Sequence, residues 1–168
     1  MENILLKDLC RYRGTKIPIF QKYFRKYQKT NNFLLKNFYK ILFKISLTAY
    51  HIELSGDTSI GGGLYIGHPY GITINPAAIL GENINIHKGV TIGQENRGKR
   101  KGVPIIGNCV WIGVNSTIVG KIVIGDDVLI APNTYVNCDI PSHSIVFGNP
   151  CIIKHCKSAT EDYINNKI

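Results

Sequence analysis

One histidine stands where its neighbours offer only backbone geometry: His68, in the run GLYIGHPYGITINP from Gly63 to Pro76. An imidazole titrates near pH 6.5 when unperturbed, so around neutrality it can take a proton from a hydroxyl as that oxygen attacks. The same ring also suits a turn, bonding a neighbouring carbonyl. Further along, QENRGKRKGVPI carries Arg97, Lys99, Arg100 and Lys101. These cations fit either a solvated lid or a grip on phosphate, which a guanidinium can hold through two hydrogen bonds. His87, in NINIHKGVTIG, is the one other histidine placed to reach the same cleft, and otherwise faces solvent. A three-histidine zinc site lacks its third member, so no metal is expected.

The elements that must hold these residues follow from a repeat. From Leu54 an aliphatic residue returns every six positions: Leu54, Ile60, Ile66, then Ile74, Leu80, Ile86, Ile92, then Ile106, Ile112, Ile118, Ile124, Ile130 and Val136. The next residue is glycine in seven of these thirteen hexads, as expected where a Cβ would clash or require an unfavourable φ. Helices want apolar spacings of three and four, and sandwich strands a period of two over longer runs. A six-residue period instead makes one side of a triangular coil, with each aliphatic side chain stacking on the one three hexads later. The fold class is therefore mainly β, a parallel β-helix of about four coils.

Two interruptions break the period, and both coincide with the chemistry. Ile66 to Ile74 is eight residues, so the chain bulges at His68; Ile92 to Ile106 is fourteen, an excursion over residues 94–105 that contains the basic cluster. Insertions in solenoids usually lie on the functional face. The open ends need caps. Phe33/Leu34, Phe38, Ile41/Leu42 and Ile45 recur at helical spacing, which predicts two short amphipathic helices within residues 18–47 whose apolar side feeds the first coil. Ser158 followed by Glu161 predicts a short C-terminal helix opened by a capping box. The expected organisation is a basic helical cap over 1–50, the β-helix over 51–141 and a C-terminal extension over 142–168.

Charge is concentrated in the cap. Residues 1–50 hold 11 Lys and Arg against Glu2 and Asp8, whereas the remaining 118 residues hold nine basic and nine acidic side chains. No nucleic-acid-binding motif accompanies this basic arm, and the solenoid is neutral, so nucleic acid is not an expected partner. Five cysteines without a Cys-x-x-Cys pair, and no charged-then-apolar secretory start, point to the cytoplasm. The apolar run ILFKISLTAY from Ile41 is interrupted by Lys44 and too short to span a bilayer.

The hexapeptide repeat, GHPYGI, the loop after Ile92 and the closing FGNPCIIK together resemble the left-handed β-helix acyltransferases. Within these the chain is most similar to the serine acetyltransferase-like branch, which includes O-acetyltransferases of bacterial surface polysaccharides. The resemblance covers roughly residues 50 to 155. It implies acetyl-CoA as donor, with no metal, and His68 as general base for attack on the thioester. It also implies an acidic residue fifteen positions before the histidine to orient the ring, which here is Glu53 where serine-specific members have Asp. A carboxylate on the second ring nitrogen would fix the tautomer and stabilise the imidazolium. CoA contacts are implied for the loop residues Arg97, Lys99, Arg100 and Lys101, and for Lys121 and Lys154. His87 becomes an acceptor-lining residue, and a homotrimer with clefts between neighbours is expected.

The acceptor is less fixed. Serine-specific relatives carry an acid just before the catalytic histidine, and an arginine and a histidine just before the proline of the long loop; here these positions read Gly67, Gly102 and Val103. That pattern points to a sugar hydroxyl of a surface polysaccharide or its precursor. The basic, aromatic arm suits contact with an anionic membrane surface, where lipid-linked glycans are assembled. The alternatives are a serine O-acetyltransferase of cysteine biosynthesis and a structural solenoid without catalysis.

Overall fold

The computed structural model describes residues 4–13 and 15–168. Three helices lead in: α1 (Ile4–Arg11), α2 (Ile19–Lys29) and α3 (Phe33–Tyr50). Short strands follow in chain order: β1 (Ser59–Ile60), β2 (Tyr65–Gly67), β3 (Thr73–Ile74), β4 (Ile79–Leu80), β5 (Asn85–His87), β6 (Thr91–Gly93) and β7 (Ile105–Ile106). After these come β8 (Val110–Ile112), β9 (Thr117–Val119), β10 (Val123–Ile124), β11 (Val128–Ile130), β12 (Tyr135–Val136), β13 (Ser144–Phe147) and β14 (Ile152–His155). They stack into three sheets, β1-β4-β7-β10, β2-β5-β8-β11-β13-β14 and β3-β6-β9-β12, parallel everywhere except between β13 and β14. These are the three faces of a prism of about five turns, one more than the hexad count suggests.

The register explains why the repeat works. Ile66 lies over Ile86, Ile86 over Ile112, Ile112 over Ile130 and Ile130 over Val146, and the other faces stack in the same way. All thirteen hexad side chains are buried, none more than 8 % exposed. Each coil also buries the residue two positions earlier, among them Leu64, Ile72, Ile84, Val90, Val110 and Ile122. Strand alternation puts residues i and i−2 on the same inward side, so the core has two layers per hexad. The glycine after the hexad residue serves close approach: a Cβ on Gly81 would stand 2.6 Å from the Gly107 carbonyl oxygen. The left-handed backbone falls elsewhere, at the third position after the hexad residue, on residues such as Asn83, Asn115, Asp127 and Asn133.

The first coil exposes one row of backbone groups, and the helical cap satisfies them with side chains. Arg25 donates to the Ile60 and Gly61 carbonyls, Gln21 to that of Leu64 and Arg11 to that of Gly63. The Leu64 N–H donates to Asp8 and the Ile66 N–H to the Tyr12 hydroxyl. Asp8 is fully buried and also accepts from Arg25 Nε at 2.8 Å and Gln21 Nε2 at 3.0 Å. Burial above all keeps the Tyr12 phenol protonated. Part of the basic arm is thus an internal cap and not a surface charge.

Two terminal expectations are corrected. The apolar stripe of α3 does not feed the first coil; Phe43, Ser46 and Leu47 face inward, while Leu34, Phe38, Ile41 and Ile45 point outward. The stretch after Ser158 forms consecutive turns and no helix, and it is pinned to the solenoid by Asp127, whose carboxylate accepts from the Ala159 and Thr160 N–H groups and the Thr160 hydroxyl. The final residues then run back along the second face, where Asn85 donates to the Tyr163 carbonyl and the Ile168 N–H donates to Asn83.

Candidate active site

His68 occupies a corner that departs from the others. It sits two positions past Ile66 in left-handed conformation, φ 57°, with a second left-handed residue at Gly71, φ 63°. The two inserted residues therefore give this corner two left-handed turns, and the imidazole is carried to the surface. It stands on the rim of an open groove of ≈ 480 Å³ lined by Tyr12, Lys16, Ile17, Tyr50, Tyr65 and His87. Among the described residues no hydrogen bond engages the His68 ring.

His87 is the neighbour one coil on. Gly67 and His87 are in register between β2 and β5, and the two imidazole centroids are 6.4 Å apart. Behind His87 stand Trp111, centroids 4.7 Å apart, and then Tyr163, 5.1 Å from Trp111. Burial, and secondarily His68, lowers the His87 pKa, favouring the neutral ring. Its Nε2 is buried without a partner among the described residues. The ring also fills the space beside residue 67: a Cβ there would stand 2.7 Å from His87 Cε1 and 2.9 Å from Nδ1.

The expected carboxylate–imidazole pair is not formed. Glu53 is exposed, paired through its backbone with β3, where its N–H donates to Ile72 and its carbonyl accepts from Ile74. Its side chain lines a separate cleft with Thr73, Asn75 and Gly93. Glu53 and His68 nevertheless share one corner, since His51, two residues before Glu53, packs its ring on Tyr70 of the bulge at 5.0 Å.

The loop after β6 is closed at its base by paired backbone bonds between Glu95 and Gly102, 2.9 and 3.0 Å, with a short 3-10 turn at Gly98–Arg100. The Arg100 carbonyl accepts from the Lys121 N–H, so loop and Lys121 form one cationic patch. Arg97, Lys99, Arg100, Lys101 and Lys121 are exposed, and none is in an ion pair among the described residues. This patch fits a polyphosphate. Lys154 is exposed on β14, opposite Ile145, and belongs to a different face. Within one chain none of these cations lines the His68 groove. His68 lies between the second and third faces, and the loop lies between the third and first.

Sequence reasoning missed Tyr12, Lys16, Tyr50 and Tyr65 as groove walls. The pattern of Tyr65 next to the hexad residue Ile66 marked an outward side chain, but the helical residues carried no such signal.

A sequence profile of the family described as "Bacterial transferase hexapeptide (six repeats)" matches residues 104–138. The serine acetyltransferase of Helicobacter pylori (strain ATCC 700392 / 26695) is 37% identical over 98 residues, 58% of this chain and 57% of that protein. The serine acetyltransferase of Staphylococcus epidermidis is 37% identical over 99 residues, 59% of this chain and 46% of that one. The chain thus spans about half the length of the curated relatives it matches. Among solved structures, serine acetyltransferase of Neisseria gonorrhoeae in complex with serine superposes with TM-score 0.64 at 30% identity, covering 80% of this chain and 53% of that one. Serine acetyltransferase from Brucella abortus superposes with TM-score 0.71 at 23% identity over 90% of this chain and 67% of that one, a likeness of fold. These names agree with the serine-directed alternative better than with a polysaccharide acceptor. The chain has the hexapeptide-repeat left-handed β-helix fold of the acyltransferases.

Proposed function

We propose that this chain is an acetyl-CoA-dependent O-acetyltransferase in which His68 is the general base. The observation that carries this reading is the free, exposed imidazole on a bulged corner of a prism that has no structural use for it. The acceptor hydroxyl attacks the thioester carbonyl carbon while His68 takes its proton; the C–S bond then breaks and the proton passes to the CoA sulfur. Glu53, at the same corner, is the carboxylate assigned to steady the imidazolium. The cationic loop and Lys121 hold the CoA phosphates, and Lys154 is a lesser contact. Because loop and histidine lie on different edges of one prism, a complete site forms where the edge of one subunit meets that of the next, as in a cyclic trimer.

The relatives' names favour L-serine as acceptor. A second reading, a sugar hydroxyl, is favoured by one feature: residue 67 is glycine and its side-chain space is filled by His87, so no carboxylate beside His68 receives an ammonium group. Release of CoA thiol from acetyl-CoA, with L-serine in one set and mono- and oligosaccharides in another, tests both. Activity with either acceptor that falls 10²-fold or more in a folded His68→Ala variant supports the mechanism. A folded alanine variant with full activity overturns it.

A further inference from the structure

The outward stripe of α3 is covered by no other described element, and its setting points to what covers it. Leu34, Phe38, Ile41 and Ile45 are each 53 to 76 % exposed and line up on one side of the helix, with Phe33 at its start. The stripe runs about 17 Å along the helix axis. Lys40 and Lys44, both exposed, lie on one flank of it. No described helix is long and apolar enough to cross a membrane.

We infer that α3 is a membrane-surface helix that seats this apolar stripe in the interface of an anionic bilayer. This does not depend on the acceptor or on the proposed acetyl transfer. The charge pattern decides between occupants. Residues 9–52 contain ten Lys and Arg and no Asp or Glu. Arg11 and Arg25 are spent inside the cap; Lys26, Lys29, Lys36, Lys40 and Lys44 remain exposed on α2 and α3. If the stripe met the same stripe of a second copy, the lysine borders would confront each other with no carboxylate on either helix to pair with them. A nucleic-acid backbone would use the lysines and leave the apolar stripe in water. An anionic lipid surface satisfies both: acyl chains receive Phe38 and Ile41, and headgroups receive ammonium groups at the ends of flexible stems. Tyr50, the last residue of α3, lines the His68 groove, so the helix that meets the lipid also walls that groove from its opposite side.

The test is co-sedimentation of the full chain with phosphatidylcholine vesicles, with and without phosphatidylglycerol. Binding to the anionic vesicles is expected, with loss as salt shortens the Debye length from about 10 Å to about 3 Å. Lys40→Gln/Lys44→Gln should weaken binding roughly 30-fold. A variant with Leu34, Phe38, Ile41 and Ile45 all changed to Ser should weaken it by more than about 100-fold. Folding and assembly of each variant are checked by circular dichroism and sedimentation velocity. Failure to pellet with phosphatidylglycerol vesicles at low salt overturns the inference. So does equal binding to neutral vesicles, or a serine variant that sediments as a smaller species, which would make the stripe a subunit interface.

Discussion

Replacing Gly67 by alanine tests the wall that separates the two acceptor readings. Gly67 lies in β2 without a left-handed φ, so an added methyl strains no backbone there. Its cost comes from contact: the new carbon would stand 2.7 Å from His87 Cε1, where about 3.4 Å is needed. The imidazole has to retreat by several tenths of an ångström, toward Trp111 already packed 4.7 Å from its centroid and braced in turn by Tyr163. Forcing a close-packed group in this way costs about 1–3 kcal/mol. For a chain of this length 2 kcal/mol is a fall of about 4–8 °C in Tm. Melting by circular dichroism at one fixed protein concentration, in wild-type and His87→Ala backgrounds, closes a double-mutant cycle. With the ring removed the methyl should be nearly neutral, giving a coupling of about 2 kcal/mol. If Gly67→Ala changes stability by less than about 0.5 kcal/mol in the wild type, or by the same amount in both backgrounds, His87 is not a wall. The argument against a carboxylate beside His68 would then fall with it.

Asp8→Ala removes the acceptor at the centre of the cap and leaves Arg25 buried and uncompensated; it should cost about 3–5 kcal/mol in urea denaturation and expose α1 to protease. Burial alone would raise the Asp127 pKa, but donors from Thr160, His143 and Ala159 overcome it and hold the carboxyl at about 2, below the ordinary 3.8. A depressed folded-state pKa means that docking of residues 157–164 is at full strength above pH 3.8 and is lost as pH falls toward 2, which proteolysis across that range will report. Changing Arg97, Lys99, Arg100 and Lys101 together to Ala should raise KM for acetyl-CoA about tenfold or more with little change in Tm, since none packs in the core. An unchanged KM would detach the loop from the donor.

The solenoid was legible because its period is a property of the chain alone: every aliphatic residue of the series from Leu54 to Val136 is buried where the spacing put it. The bulge at His68 and the loop after Ile92 were legible as breaks in that period. The helical cap was not, since an amphipathic stripe says that one side of a helix is apolar and not which side meets the fold. On α3 the inward side is the weaker one, Phe43, Ser46 and Leu47, because the partner there is already closed by α2 through Phe24 and Phe43. Nor does sequence show that Arg11, Gln21 and Arg25 serve an open sheet edge, as their carbonyl partners lie 35 or more residues away. At the site, His87 filling the space beside Gly67 is a cross-coil contact over a twenty-residue separation created by the bulge itself.

Because coils stack by the strand spacing, about 4.8 Å each, the prism is a ruler with His68 and the basic loop marked on successive graduations. A coil inserted beyond β11 would lengthen the molecule and leave both marks in place. The same eighteen-residue unit inserted between β3 and β6 would slide the loop one graduation from the histidine, enough to part a thioester from its base. Height can therefore vary beyond the loop without moving the site, and the antiparallel return of β14 across β13 closes that end.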